Sequence, residues 1–418
     1  MKDPVAAAVA DAHQQDWAYV LAVIVRTTRD FELAEDVVQD AFVAALESWR
    51  RDGVPKSPAA WLITTARRKA IDRDRRQSAF ERKLPLLIVP QGEEDTDMDD
   101  SPSGIPDERL RLIFTCCHPA LSFEARVALT LRLVCGMSTP DIAHHFLVPE
   151  TTMAARLTRA KKKILAAGIP YRVPAGADLI GRLSSVLTVI YLVYTEDHTA
   201  SRGDALFHVN YTSPAISLAR MLVELMPDEP DVLGLLAFLL LTDARRAART
   251  DAAGDLVLLE NQDRACWDTA AIAEGLQLTE CALRLPLRGR MPGRYAIEAA
   301  IAAIHAESQS YDATDWLQLL ALYDLLLAVY PAPVVALSRV AVVAQIDGPA
   351  QGLMALAAIE HDPSLSRYYL LPAARADLFR RLGRTGEAIA AYRSAIALTE
   401  NIVEQRFLRR RIRELLEQ

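Results

Sequence analysis

Apolar residues recur at the three- and four-residue steps of an α-helix almost from the start of this chain. Trp17, Val20, Leu21 and Ile24 fall on one helical face. Asp30 offers an N-cap for a second helix reaching Trp49, with Leu33, Val37, Val38, Ala41, Phe42, Ala45 and Leu46 as its apolar stripe. Gly53, Pro55 and Pro58 close it, and Ser57-Pro58 opens a third, a capping residue followed by proline at the first helical position. That helix carries Trp61, Leu62, Thr65, Ala66 and Ile71 on one side and arginines on the other.

The periodicity lapses over residues 85–106, and four short helices are predicted between Asp107 and Ile169. Pro170, Pro174 and Gly176 mark a boundary, after which the chain is nearly all helical by pattern, with no useful strand alternation. Near the end, Leu378–Leu398 reads as a helix, a Gly383/Gly386 turn, and a helix with Ala388, Tyr392, Ala395 and Leu398 on a face, like a tetratricopeptide hairpin. A second pair, Val334–Ile359, is broken at Gly348-Pro349. The expectation is an all-α chain with parts at 1–84, 107–170 and 175–418, the first two joined by a flexible linker over 85–106.

Composition supports several packed helical domains: 418 residues exceed one ordinary core, and 51% apolar with only 6% aromatic residues suits helices better than a sandwich. The longest apolar runs, Val186–Tyr194 and Leu233–Leu241, are buried-helix lengths and not membrane spans. The N-terminus lacks an apolar export core, and the five cysteines lack paired spacing, so a cytoplasmic, reducing location is expected.

The net charge of −7 argues against nucleic acid until it is mapped along the chain. Residues 48–83 hold 11 Lys/Arg against four acids, and residues 138–172 hold six against two. Between them, residues 91–108 hold eight acids and no base. Phosphate neutralisation needs local positive charge, and the two basic blocks supply it.

Each block carries a pattern suited to DNA. Ser138 to Phe146 is a capped short helix, Leu147-Val148-Pro149 a turn, and Glu150 to Ile164 an amphipathic helix. Met153, Leu157, Ala160 and Ile164 face inward there, while Thr152, Arg156, Arg159 and Lys163 face outward. This is a helix-turn-helix, whose second helix enters the major groove with its early residues at base edges. An ordinary hairpin with a solvated basic face is the alternative. The helix from Trp61 to Arg76 mixes an aromatic with Arg67, Arg68, Lys69, Arg73, Arg75 and Arg76. Strand opening needs that mixture, because unpaired bases stack and the backbone needs countercharge. Trp61 could equally be a core residue. Glu32 to Phe42 places acids opposite its apolar stripe, a surface able to dock a basic protein.

In this order the three features resemble an extracytoplasmic-function sigma factor of RNA polymerase. The stretch Glu35-Asp36-Val37-Val38-Gln39-Asp40-Ala41-Phe42 is similar to the part of region 2 that grips the β′ clamp. Pro58–Leu62 and Ala66–Arg76 are similar to the part that melts and recognises the −10 element. Glu124–Arg132 and the helix-turn-helix are similar to region 4, which reads the −35 element. The resemblance implies polymerase contacts at Glu35, Asp36, Gln39, Asp40 and Phe42, and −10 contacts at Trp61, Arg67, Arg68, Arg73, Arg75 and Arg76. It implies −35 contacts at Glu150, Thr151, Thr152, Arg156, Arg159 and Lys163. The expected partners are polymerase core, through its β′ clamp and β subunit, and promoter DNA, with no membrane, no cofactor and no catalysis. The rest resembles the C-terminal extension of one sigma subgroup, through Leu258–Arg264, Ala299–Glu307, Thr314-Asp315-Trp316, Pro333–Leu337 and Arg381–Arg384. That extension implies a tetratricopeptide-like regulatory module with an unidentified partner or ligand.

Other readings remain at this point. A helix-turn-helix regulator that binds duplex without polymerase fits the second block alone, and an enzyme built on the C-terminal part is a third class. Cys116-Cys117-His118 lacks tetrahedral zinc spacing and sits in an apolar stretch, so buried small residues are expected there. Glu196-Asp197-His198 with Asp204 fits a helix end and turn better than an acid/base or cation site. Glu260, Asp263, Arg264 and Trp267 could line a groove or form internal salt bridges.

Overall fold

The computed structural model describes residues 4–81, 108–146, 148–175, 177–198, 202–203, 212–285 and 291–417. The expected acidic linker lies outside the described residues. The chain divides into two compact units, Met1–Val189 and Ile190–Gln418.

Unit 1 opens with α1 (Pro4–Thr28), α2 (Phe31–Asp52) and α3 (Pro58–Glu81). The apolar stripes read from the sequence form its core: Val20, Leu21, Ile24, Val37, Val38, Ala41, Leu62 and Ala66 are buried. The Asp30 carboxylate caps α2, accepting from the N–H groups of Glu32 and Leu33 at 2.8 and 3.1 Å. Asp30→Ala is expected to cost about 1 kcal/mol of stability, the usual value of such a cap. Chemical denaturation read by circular dichroism checks it, an unchanged midpoint being the contrary result.

The second block contributes α4 (Glu108–Cys116), α5 (Phe123–Leu129), α6 (Thr139–His145) and α7 (Glu150–Ala166), the four short helices expected. One feature was not foreseen: α5 runs into a π-helical turn over Thr130–Val134. The two blocks also pack on each other within the unit. The Trp17 indole donates to the Leu133 carbonyl at 3.1 Å, the Tyr171 hydroxyl to the Ala22 carbonyl at 3.0 Å, and Arg26 pairs with buried Glu108 at 2.6 Å. Gly136 makes the approach possible. Its φ of +69° suits glycine, and a Cβ there would lie 2.9 Å from the His13 ring. The last helix of unit 1 begins α8 (Ala177–His198), within which the border of the units falls.

Unit 2 continues with α9 (Thr212–Leu225), α10 (Pro230–Asp243), α11 (Thr269–Arg284) and α12 (Arg294–Glu307). Then come α13 (Trp316–Val329), α14 (Pro333–Ile346), α15 (Pro349–Ala357), α16 (Leu370–Arg381), α17 (Thr385–Leu398) and α18 (Ile402–Leu416). Helix α10 is apolar all round and correspondingly buried, from Val232 to Leu241, with α11 and α12 against it. Small cores then follow one another along the chain. Ile297, Leu319, Leu326 and Val335 join α12 to α14; Leu337, Val340, Leu356 and Leu378 join α14 to α16; Ala376, Tyr392 and Leu408 join α16 to α18. Each helix thus buries its face against its sequence neighbours, the nearest-neighbour stacking of a helical repeat. Gly348 and Gly383, with φ of +87° and +71°, make the two turns expected from the sequence, but Gly386 lies inside α17 and takes no part in its turn. The fold is all-α. Among the described residues the paired strand segments are two residues long, Arg202–Gly203 parallel to Glu400–Asn401.

Candidate nucleic-acid interface

The helix-turn-helix forms as its sequence dictates. Ser138 caps α6, its hydroxyl accepting from the Asp141 N–H at 3.2 Å and donating to the Asp141 carboxylate at 2.5 Å. Helix α7 buries Met153, Leu157, Ala160 and Ile164. Its opposite face exposes Glu150, Thr151, Thr152, Arg159 and Lys163. Arg156 is half-buried, its guanidinium 5.3 Å from the centre of the Phe146 ring. Stacking of this kind fixes the direction of the side chain while leaving its N–H groups for an acceptor.

Helix α3 presents the second basic surface. Arg67, Arg68 and Arg75 are exposed, with no ion pair among the described residues. Arg73 is different: it bridges Asp36 at 2.8 Å and Asp40 at 3.2 Å on α2. The side chain of Arg76 lies outside the described residues. Trp61 is half-buried, edge-on to buried Trp49 with ring centres 5.7 Å apart, so it is part core and part surface.

The α2 residues separate into two groups. Asp36 and Gln39 are exposed and Asp40 half-buried, so the acidic surface exists. Glu35 and Phe42 are interior. Phe42 packs near His13 and Trp17, with ring centres 5.2 and 5.9 Å away. Burial, and then Arg132, lower the His13 pKa, which keeps a neutral ring between the two aromatics. Glu35, 5% exposed, is held by Arg132 and by Lys161, whose ammonium lies 2.6 Å from its other oxygen. Arg132 also donates to the Met137 carbonyl at 2.8 Å, just before α6. A carboxylate from α2 is therefore sealed by cations from the π-turn and from α7.

Arg132 and Lys161 were not singled out by the sequence, since they lie 97 and 126 residues from Glu35. The available signal was register. Lys161 sits four residues after Leu157 and three before Ile164, on the border of the buried face and unlike Lys162 and Lys163.

The cysteine pair is structural, as expected. Burial pushes the Cys117 thiol to about 11 and Cys135 to about 12, and raises Cys116 well above its usual range. Cys117 and the Thr130 hydroxyl share a contact of 3.4 Å. Among the described residues no cluster of three or more His, Cys, Asp or Glu side chains could hold a metal ion. The side chains of Glu196, Asp197 and His198, and residue Asp204, lie outside the described residues.

Comparison with known proteins places both helical blocks in known families. Residues 15–80 match sigma-70 region 2, and residues 111–164 match sigma-70 region 4. Residues 182–283 match a family of unknown function. An uncharacterized protein of Rhizobium meliloti is 40% identical over 400 residues, covering 94% of this chain and 93% of that protein. The ECF RNA polymerase sigma factor SigK of Mycobacterium tuberculosis is 25% identical over 162 residues, 38% of this chain and 84% of SigK. SigK of Mycobacterium ulcerans is 26% identical over 145 residues, 34% of this chain and 75% of that protein. With α2 and α3 inside region 2, the helix-turn-helix inside region 4 and a full-length relative sharing the rest, the chain belongs to the ECF sigma factors of RNA polymerase that carry a helical C-terminal extension.

Proposed function

We propose that this sigma factor, which binds polymerase core and directs initiation at promoters, works through three faces of unit 1. Asp36, Gln39 and Asp40 on α2 dock the β′ clamp, joined by Glu35 and Phe42 once those are uncovered, and the region 4 block meets the β subunit. Trp61, Arg67, Arg68 and Arg75 on α3 engage the −10 element as it opens, with Arg73 and Arg76 completing that surface. Glu150, Thr151, Thr152, Arg156, Arg159 and Lys163 on α7 read the −35 element. The extension from about residue 175 regulates this activity. No helix among the described residues is long and apolar enough to cross a membrane.

The observation that carries the −10 assignment is the set Arg67, Arg68 and Arg75. These are exposed cations without carboxylate partners among the described residues, on a helix where Arg73 is paired across to α2. Phosphate contacts of this kind set register and affinity, while base-edge contacts from α7 set sequence choice. The sealed Glu35 supports a further part of the reading: the arrangement described is a resting form, and docking requires α7 to leave α2. This chain then combines two equilibria, opening and binding.

The test is binding of promoter DNA and run-off transcription with core polymerase, using a pool of genomic fragments as template. Arg67→Ala with Arg68→Ala is expected to weaken the promoter complex and lower its salt slope by about 1.5, two phosphates at ~0.7–0.9 each. Core binding should survive. A salt slope equal to that of the unmodified protein would contradict the assignment.

A further inference from the structure

We propose that unit 2 binds a small oxyanion ligand, carrying a carboxylate or phosphate group, at the cluster of Arg245, Arg264, Trp267 and His305. Two guanidinium groups converge on one indole. The Arg264 guanidinium lies 4.4 Å and that of Arg245 5.8 Å from the centre of the Trp267 ring. Arg264 spends one nitrogen, Nη1, on the carbonyl of His305 at 2.9 Å. Its Nη2 is buried and has no hydrogen-bond partner among the described residues, and the same holds for Nε1 of Trp267 and Nδ1 of His305. Trp267 is only 5% exposed, so its idle N–H is not a surface group waiting for water.

Among the described residues no carboxylate pairs with Arg245 or Arg264. Asp263 caps its own turn, accepting from the Ala265 N–H at 2.9 Å, and Asp268 caps α11. Asp243 pairs with Arg246 at 2.6 Å, and Glu260 reaches Arg411 at 3.9 Å. Of the internal salt bridges that the sequence allowed at Glu260, Asp263, Arg264 and Trp267, Glu260 makes one, to Arg411, and among the described residues Arg264 pairs with neither acid. Arg245 faces Arg264, Tyr194 and Tyr323 instead, and its guanidinium has no ion pair among the described residues. Burial, then Arg245 and Arg264, hold the His305 pKa down to about 4, so the imidazole is neutral at physiological pH. Arg249 adds to the same field, its pKa lowered to about 10 by burial and then by Arg245.

Arg245 and Arg264, half-buried and without a carboxylate partner among the described residues, repel one another and carry an uncompensated desolvation cost. An oxyanion removes both penalties. It would receive the Arg264 Nη2 and Trp267 Nε1 hydrogens, with the Arg245 fork as the charge-assisted contact. Trp267 would then hold the guanidiniums in place through its face and the anion through its N–H. The site belongs to unit 2 alone, and its test does not pass through transcription.

That test uses the full-length chain in calorimetric titrations with inorganic phosphate and with citrate, at constant ionic strength set by chloride. Saturable binding of at least one is expected, with a rise in melting temperature as the probe is added. Binding of phosphate alone assigns a phosphoryl ligand, and of citrate alone a carboxylate. Arg245→Gln is expected to weaken binding by at least about tenfold and to remove the melting shift. Arg246→Gln, whose partner is Asp243, should bind like the unmodified chain. Arg245→Lys keeps the charge without the planar fork and should fall between, which preserves the test if the glutamine variant does not fold. Equal binding by Arg245→Gln and the unmodified chain would overturn the site. So would failure of both probes to saturate at concentrations on the order of 10 mM, or a response confined to an acidic peptide.

Discussion

Lys161→Met is expected to raise the apparent affinity of the protein for core polymerase by about tenfold to a hundredfold. The Lys161 ammonium lies 2.6 Å from Glu35, and both side chains are largely shielded, at 13% and 7% exposed. A charge-assisted hydrogen bond in that setting is worth about 1.5–3 kcal/mol net. Methionine keeps the apolar stem of the side chain and removes only the charge. The loss falls on the closed form alone, because an open form has solvated Glu35 and Lys161 already. The ratio of open to closed molecules then rises by about tenfold to a hundredfold, and apparent affinity follows the competent fraction until opening is complete. Lys162→Met is the control, since Lys162 is exposed one residue further along α7. A binding titration against core polymerase reads the difference. Equal affinities for the two variants would remove Glu35 from the opening step.

Gly234→Ala is expected to lower the melting temperature of unit 2 by roughly 4–8 °C. Gly234 stands in the middle of the buried helix α10, where an added Cβ would fall 2.5 Å from the Ala296 nitrogen and 2.6 Å from its Cα. These are backbone atoms of α12, so no side chain can swing aside, and the helices must part. Overpacking of this type costs about 1–3 kcal/mol. The helix propensity of alanine returns about 1 kcal/mol of it, so with backbone neighbours that cannot swing aside the net cost reaches about 2 kcal/mol. Gly181, in the first part of α8, has nothing within 4 Å of its virtual Cβ. Gly181→Ala should therefore hold or raise stability through propensity alone. Calorimetric melting of both variants gives the comparison, and a Gly234→Ala protein as stable as the unmodified chain would contradict the close α10–α12 packing.

The contrast between these glycines shows what the sequence could and could not reveal. Local periodicity carried the helices of unit 1: the stripe from Val37 to Ala45, the Asp30 cap and the inward face Met153, Leu157, Ala160, Ile164 were legible because each depends on residues three or four apart. Gly348 and Gly383 were legible as turns because a left-handed backbone selects glycine. Gly234 and Gly275 carried no such mark, since their role is to admit α12 and the Leu241 side chain. The basic surfaces of α3 and α7 were legible as charge clusters on otherwise amphipathic helices. Their partition was not. Arg73 belongs to an ion-pair bridge and Arg67 to solvent, although both stand in one arginine run.

The same limit explains Glu35. By spacing it looks like Asp36, Gln39 and Asp40, a polar residue on an acidic helix. Its burial depends on cations 97 and 126 residues away, brought over α2 by the packing of one block on the other. That packing rests in turn on Gly136 against His13 and on the Trp17–Leu133 bond, contacts no local pattern encodes. At Trp267 the difficulty runs the other way. Glu260 and Asp263 suggested salt bridges to Arg264, but Glu260 reaches Arg411 and Asp263 acts as a cap, a role its position at a turn start favours.

The most direct measurement of the central claim is the distance between α2 and α7 in the free protein and in its complex with core polymerase. Fluorescent probes placed at exposed Glu47 and Lys162 through non-natural residues would report it without disturbing Glu35. The expected result is a short distance in the free chain and a clear lengthening, in proportion to complex formed, when core polymerase is added. A distance that stays short in a complex active in transcription would contradict the account, because Glu35 would then remain beneath Arg132 and Lys161 while the enzyme initiates.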